Sequence, residues 1–272
     1  MSEPTGIDVE QGDNGVLHIT INRADVGNSL SPNARDALSV ALEDAHSNPS
    51  VRAVLLGAAG SRHFCAGAGL PSKTDDSVTQ AIAEKRPGDI ARMLAHGWQR
   101  LVAAVLDCGK PVVAAVNGVA VGAGASLVLA CDLVVMSSEA KLIEAFVHRG
   151  ILPDSGAIFL LTRIVGLRKA AELLMLGEAV DASTCERLGL VNRVAAPEAV
   201  MATAEELAGR LAAGPTVMLS HTKRLLAVSS ESSRARAFEQ EAWAAELISH
   251  TSDLREGLRA FTERRTPDFQ GR

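Results

Sequence analysis

Two stretches of this 272-residue chain are rich in glycine and alanine and poor in reactive side chains: CAGAGL, residues 65–70, and NGVAVGAGASL, residues 117–127. Each follows an apolar, strand-like run, VRAVLLGA (51–58) and PVVAAV (111–116). Small residues let a ligand approach the main chain closely. The second stretch also opens a helix near Ala123, whose first N–H groups have no intrahelical acceptor and carry partial positive charge. Two N–H groups converging from separate turns would hold an oxyanion. Taken singly, each turn reads more simply as tight strand–helix packing.

The side chains offer fewer options. Asp154, in ILPDSG, precedes the helical pattern SGAIFLLTRIVG and has the residue type of a helix cap. Ser126 could act as a nucleophile with a histidine, but no GxSxG elbow surrounds it, and a small pocket-lining residue is the simpler reading. His63 adjoins the first turn at a position suited to the surface, and His148 lies near the Asp154 loop, where it could line a pocket. GAGASL lacks the last glycine of a dinucleotide fingerprint and there is no HExxH, so neither a dinucleotide nor a zinc ion is expected.

Composition narrows the classes further. The net charge of -5 arises from 27 basic and 32 acidic residues, with no long basic run to bind nucleic acid. The polar, acidic start MSEPTGIDVEQGDNG is unlike a secretory signal. Cys65, Cys108, Cys131 and Cys185 lack CxxC spacing, so reduced thiols and a cytoplasmic location are expected. Residues 111–136 are long enough for a membrane span. Asn117, Ser126, Asp132 and glycines 118, 122 and 124 instead suggest strand, turn, short helix and strand, and no membrane partner is expected.

The elements that must position these residues read as α/β. GVLHITIN (15–22) alternates as a strand and pairs with IDVEQ (7–11) through a turn at Gly12–Asn14. Leu38, Ala41, Leu42 and Ala45 recur at helical spacing after Ser31-Pro32. The runs 51–58, 111–116 and LVVM (133–136) are apolar throughout, as in a parallel sheet buried on both faces. Residues 76–106 hold a helical pattern ending in LVAAVLD. Beyond about residue 155 the spacing is helical in AIFLLTRIVG, RKAAELLML, DASTCERLG, VMATAEELAGRLAAG and RARAFEQEAWAAELISH, and no further strand is expected.

RHFCAGAGL, KPVVAAVNGVAVGAGASLVLACDLVV, HRGILPDSGAIFLLTRIVG and ERLGLVNRVA, with INRADVGNSLSP and FTERRTPDF, resemble in order and spacing the crotonase, or enoyl-CoA hydratase/isomerase, superfamily. The resemblance spans nearly the whole chain. It implies a ββα spiral core (residues 1–200) and a C-terminal helical oligomerisation region (201–272) that builds a homotrimer or a dimer of trimers. It implies an acyl-CoA thioester substrate, coenzyme A entering only as part of that substrate, with no cofactor or metal. The two backbone donors to the thioester oxygen fall on Ala68 and Ala123. Substrate contacts fall on Arg23, Val26, Ala66, Gly69, Leu70, Gly124, Ser126 and Phe146, and Arg264 and Arg265 are candidates for the CoA phosphates unless they are only solvated surface arginines.

The departures from the family pattern shape the functional expectation. Hydratases of the family carry two glutamates, which fall here on Ser126 and Phe146, so efficient hydration has no evident general base. The usual aspartate after CAGA is Gly69. Glu144 lies two positions from the second glutamate site and would share its face on an extended segment only if the register held. Asp154 stands where several isomerases of the family, including the Δ3,Δ2-enoyl-CoA and ring-opened phenylacetyl-CoA types, place a single acid/base. An enoyl-CoA isomerase is therefore the leading expectation. The alternatives are a hydratase with degenerate acid/base residues, a non-catalytic acyl-CoA-binding subunit and a hydrolase using Ser126.

Overall fold

The computed structural model describes residues 5–69 and 86–272. Leu70 and the first part of the helical pattern at 76–106 lie outside these residues. The chain opens with a hairpin of β1 (Ile7–Gln11) and β2 (Val16–Ile21), in which Ile7 faces Ile21 and Gln11 faces Leu17. Its turn closes through the Gly12 N–H on the Val16 carbonyl and the Val16 N–H on the Asn14 side chain. β2 then pairs in parallel with β3 (Ala53–Ala58), followed across the sheet by β5 (Val112–Val116) and β7 (Leu133–Ser137). Every residue of β3 and β5 is buried, as continuous apolar runs require of strands covered on both faces.

Each central strand leads into a short partner in a second sheet. That sheet runs β4 (His63–Cys65), β6 (Val119–Val121), β8 (Lys141–Ile143) and β9 (Val180–Asp181). The successive pairs β3–β4, β5–β6 and β7–β8 thus repeat one ββα unit, the arrangement of the crotonase fold. Strands do not stop at residue 155. β9 adds antiparallel to β8, and β10 (Arg193–Ala195) adds parallel to β7. With two and three residues, these edge strands show no side-chain period from which a strand could be read.

Helices cover both faces of the larger sheet. On one side α1 (Pro32–Ser47), α3 (Trp98–Leu106), α4 (Ala123–Ala130) and α5 (Ala157–Leu176) share a core with the sheet, and α2 (Asp89–Ala95), which buries no residue, packs on α3. Ser31 caps α1 through the Ala34 N–H, and Leu38, Leu42 and Ala45 go into the core. α5 is broken at Gly166, so AIFLLTRIVG and RKAAELLML are separate helical pieces. After α6 (Ala182–Arg187), the opposite face is covered by α7 (Val200–Ala212) through Val200, Ala204, Leu207, Ala208 and Ala212. The expected boundary at 200/201 therefore falls at the first residue of a helix that completes the core.

Three helices follow: α8 (Thr216–Ser229), α9 (Arg234–Ser249) and α10 (Ser252–Glu263). They leave Leu226, Phe238, Trp243, Leu247, Leu258 and Phe261 exposed. Lys223 of α8 ties this tail to the sheet through an ion pair with Asp132 at 2.7 Å. Among the described residues no helix is long and apolar enough to cross a membrane; residues 111–136 form β5, β6, α4 and most of β7.

Candidate active site

The first glycine turn leaves β4 at Cys65. The Leu30 N–H donates to the Gly67 carbonyl at 2.9 Å. A trans peptide holds its C=O and the N–H of the next residue antiparallel within one plane, so this bond turns the Ala68 N–H away from Leu30. Gly67 has φ +82°, and a Cβ there would stand 2.8 Å from the Val121 carbonyl, so a side chain is excluded by both conformation and space. Asn28 clamps the loop from behind. Its amide donates to the carbonyls of Ala59 (2.9 Å) and His63 (2.7 Å), and its Oδ1 accepts from the Arg23 N–H.

The second turn leaves β6, and the Gly122 N–H donates to the Ile143 carbonyl of β8 at 2.8 Å. Ala123 is then the first residue of α4, and its N–H belongs to the turn that has no intrahelical acceptor. The two turns meet. A Cβ on Gly67 would lie 3.6 Å from the Ala123 nitrogen and 3.7 Å from that of Gly124, and one on Gly124 would collide with the Cys65 carbonyl. The glycines thus serve close packing, and that packing brings the two amide segments to one junction.

The third contribution comes from residues 143–156. The Phe146 ring lies 3.7 Å from where a Gly122 Cβ would be, so it forms a wall beside the start of α4. Ser126, one turn into α4, is completely buried, and its hydroxyl has no partner among the described residues. Asp154 is half-buried and receives a hydrogen bond at 2.7 Å from the hydroxyl of Ser155, a buried residue held at φ +54°. The Asp154 side chain does not cap α5. The cap residue is Gly156, with no side-chain bond, and it is the Asp154 main-chain carbonyl that accepts from Ala157.

Glu144 is the residue that spacing alone left unplaced. It is 2% exposed, and neither carboxyl oxygen has a hydrogen-bond partner among the described residues. Burial, and then the negative charge of Asp154, push its carboxyl up to about 8. Glu144 and Asp154 are therefore electrostatic neighbours.

The remaining candidates divide by place. Around the first turn, the Arg23 guanidinium donates to the Ser29 carbonyl, Val26 is exposed on a short 3₁₀ turn, the Ala66 N–H bonds the Gly27 carbonyl, and Gly69 sits against Ser29. Gly124 belongs to the junction itself. His63 lies behind the turn, with its carbonyl held by Asn28, and His148 directs Nε2 to the Gly177 carbonyl at 2.9 Å. Arg264 ends α10 in a left-handed conformation, far in sequence from the junction. Arg265 forks onto Glu256 at 2.6 and 3.0 Å and also pairs with Glu263, so its guanidinium is engaged by carboxylates.

A sequence model of the enoyl-CoA hydratase/isomerase family matches residues 11–272. The chain is 33% identical to the 1,2-epoxyphenylacetyl-CoA isomerase of Escherichia coli K12, over 95% of this chain and 96% of that one. It is 32% identical to the 2,3-dehydroadipyl-CoA hydratase of the same organism, over 94% and 96%. The crystal structure of an enoyl-CoA hydratase from Bacillus anthracis superposes with a TM-score of 0.89 at 29% identity, covering 98% of this chain and 100% of that one.

Proposed function

This chain belongs to the enoyl-CoA hydratase/isomerase family, and from that premise we propose that it is an enoyl-CoA isomerase whose acid/base is Asp154. The observation that supports this reading is the state of that side chain. It caps no helix, it is braced by Ser155, and it is coupled to the buried Glu144. At the two positions where hydratases of the family carry glutamate stand a buried serine, Ser126, and a phenylalanine, Phe146, packed against Gly122.

In the proposed reaction the Asp154 carboxylate takes a proton from C2 of a 3-enoyl thioester. The C–H electron pair shifts into a thioenolate whose negative oxygen is held by the N–H groups of Ala68 and Ala123. Asp154 then returns the proton at C4, and the electrons flow back from oxygen to give the 2-enoyl product. No redox partner or cofactor is consumed, and coenzyme A takes part only as the substrate's thioester. The exposed apolar residues of α8–α10 support a homotrimer or a dimer of trimers.

A panel of 2-enoyl, 3-enoyl and aryl-acyl CoA thioesters, assayed for turnover and product, tests the reading. Asp154→Asn should lower isomerisation by roughly 10²- to 10⁴-fold, the usual contribution of a general acid–base group. Melting temperature should be unmoved, since the side chain is not a cap. Brisk hydration with slow isomerisation would favour the hydratase reading, which draws support from the presence of a second carboxyl, Glu144. Silence toward every thioester with retained CoA binding would favour a binding subunit.

A further inference from the structure

We propose that Glu144 is the proton-holding partner of Asp154. It stays protonated through the cycle beside the start of α4, while Asp154 alone carries charge and exchanges protons with the substrate. This deepens the isomerase reading and rests on it.

The placement follows from the ladder. β6 and β8 pair with Ala120 opposite Leu142 and Val121 opposite Ile143, and the next bond runs from the Gly122 N–H to the Ile143 carbonyl. The residue after Ile143 therefore stands alongside Gly122 and Ala123. Alternation along the extended chain puts the Glu144 side chain on the face of Leu142, which is buried, and not on that of Ile143. Its chain neighbours Ala145 and Phe146 are also buried.

An ionised carboxylate in such a place needs donors, and none among the described residues reaches either Glu144 oxygen. Asp154 differs on both counts. It is less buried, and the Ser155 hydroxyl donates to it. Two neighbouring carboxyls in a low dielectric do not both ionise at neutral pH. The proton settles on the one without donors. Of the other titratable groups nearby, His148 turns Nε2 to the Gly177 carbonyl, and Lys141 and Arg149 are exposed; burial and Asp154 are the influences on Glu144, and both favour its neutral form.

The arrangement matters because the reaction builds negative charge on the thioester oxygen at the adjacent junction. A neutral Glu144 adds no further anion there. Once it ionises, two carboxylates face the growing thioenolate, and turnover should fall about tenfold per pH unit above its midpoint.

The test combines rate and spectroscopy on the full-length protein. The kcat for 3-enoyl-CoA isomerisation is measured from pH 6 to 10, and Glu144→Gln should abolish the alkaline fall, raising the ratio of kcat at pH 9.5 to that at pH 7 by about tenfold or more. An unchanged alkaline limb overturns the proposal, as does loss of turnover at every pH with thioester binding intact. Infrared titration reads the proton without turnover. A protonated-carboxyl band should bleach with a midpoint near 8, be absent in Glu144→Gln, and move to lower pH in Asp154→Asn. A midpoint that Asp154→Asn leaves in place overturns the pairing. If Asp154→Asn shifts the band yet isomerises at full rate, the carboxyl pair stands but the catalytic assignment of Asp154, and the proposal built on it, fail.

Discussion

Two carboxyls, Asp132 and the buried Glu144, sit at opposite ends of the same sheet connections, and they are treated in opposite ways. Asp132, just before β7, accepts from the Val112 N–H and from the Lys223 ammonium, each at 2.7 Å. Lys223 spends its other donors on the carbonyls of Val105 and Lys110, so each of its three N–H groups has an acceptor. Burial pushes the Asp132 carboxyl up while Lys223 and the Val112 amide pull it down. Glu144, just after β8, has no donor among the described residues, and its charged neighbour Asp154 has the same sign. A carboxyl that joins elements is surrounded by donors. One kept for proton chemistry is left without them and is stable only as the neutral acid.

The comparison can be broken most directly at Lys223. Lys223→Met should take the ammonium from Asp132 and from two carbonyls and cost about 1–3 kcal/mol in urea unfolding, because partly buried acceptors lose their donor. Turnover per folded molecule should not change. A cost below about 1 kcal/mol would mean that Asp132 is held by the Val112 amide alone.

Glu144→Gln should act in the other direction. The folded-state value, about 8, is raised above the ordinary 4.5. The contribution of Glu144 to stability is therefore full below pH 4.5 and is lost as pH climbs to 8. The advantage of the glutamine variant should widen across that window at no more than about 1.4 kcal/mol per pH unit, reach on the order of 2 kcal/mol after local relaxation, and level off above it. Parallel stability curves for the two proteins would show that Glu144 ionises freely in the folded state.

Ser126→Ala gives the smallest effect. The hydroxyl has no partner among the described residues, so its removal should change stability by less than about 1 kcal/mol, with stabilisation the expected sign. A larger loss would reveal a partner for the hydroxyl and end its likeness to Glu144.

The long apolar strands and the capped start of α1 were legible because each satisfies a local rule over five residues or more. β9 and β10 were not, since edge strands this short are created by the neighbours they pair with. The same limit hid Glu144. Its spacing from Phe146 allows a shared face, yet whether donors surround it is decided by β6, α4 and the Asp154 loop. Asn28 carries no local signal of its role, because nothing near it in sequence says that its amide reaches Ala59 and His63, more than thirty residues on. Asp154 could be read locally as a cap, and only the left-handed Ser155–Gly156 turn moves the cap to Gly156 and releases the carboxyl.

The Gly67 carbonyl held by Leu30 has a consequence for how such a protein can diverge. The direction of the Ala68 amide is set by a main-chain bond, so exchanging the Ala68 side chain leaves the donor in place unless the newcomer is proline, which has no N–H to offer. The electrophilic half of the proposed site is thus inherited with the backbone and is nearly silent to point mutation. Selection is left free to change Ser126, Glu144, Phe146 and Asp154, the positions that decide where protons go. A lineage built this way can switch reactions by drift at a few side chains while its affinity for a thioester oxygen stays constant.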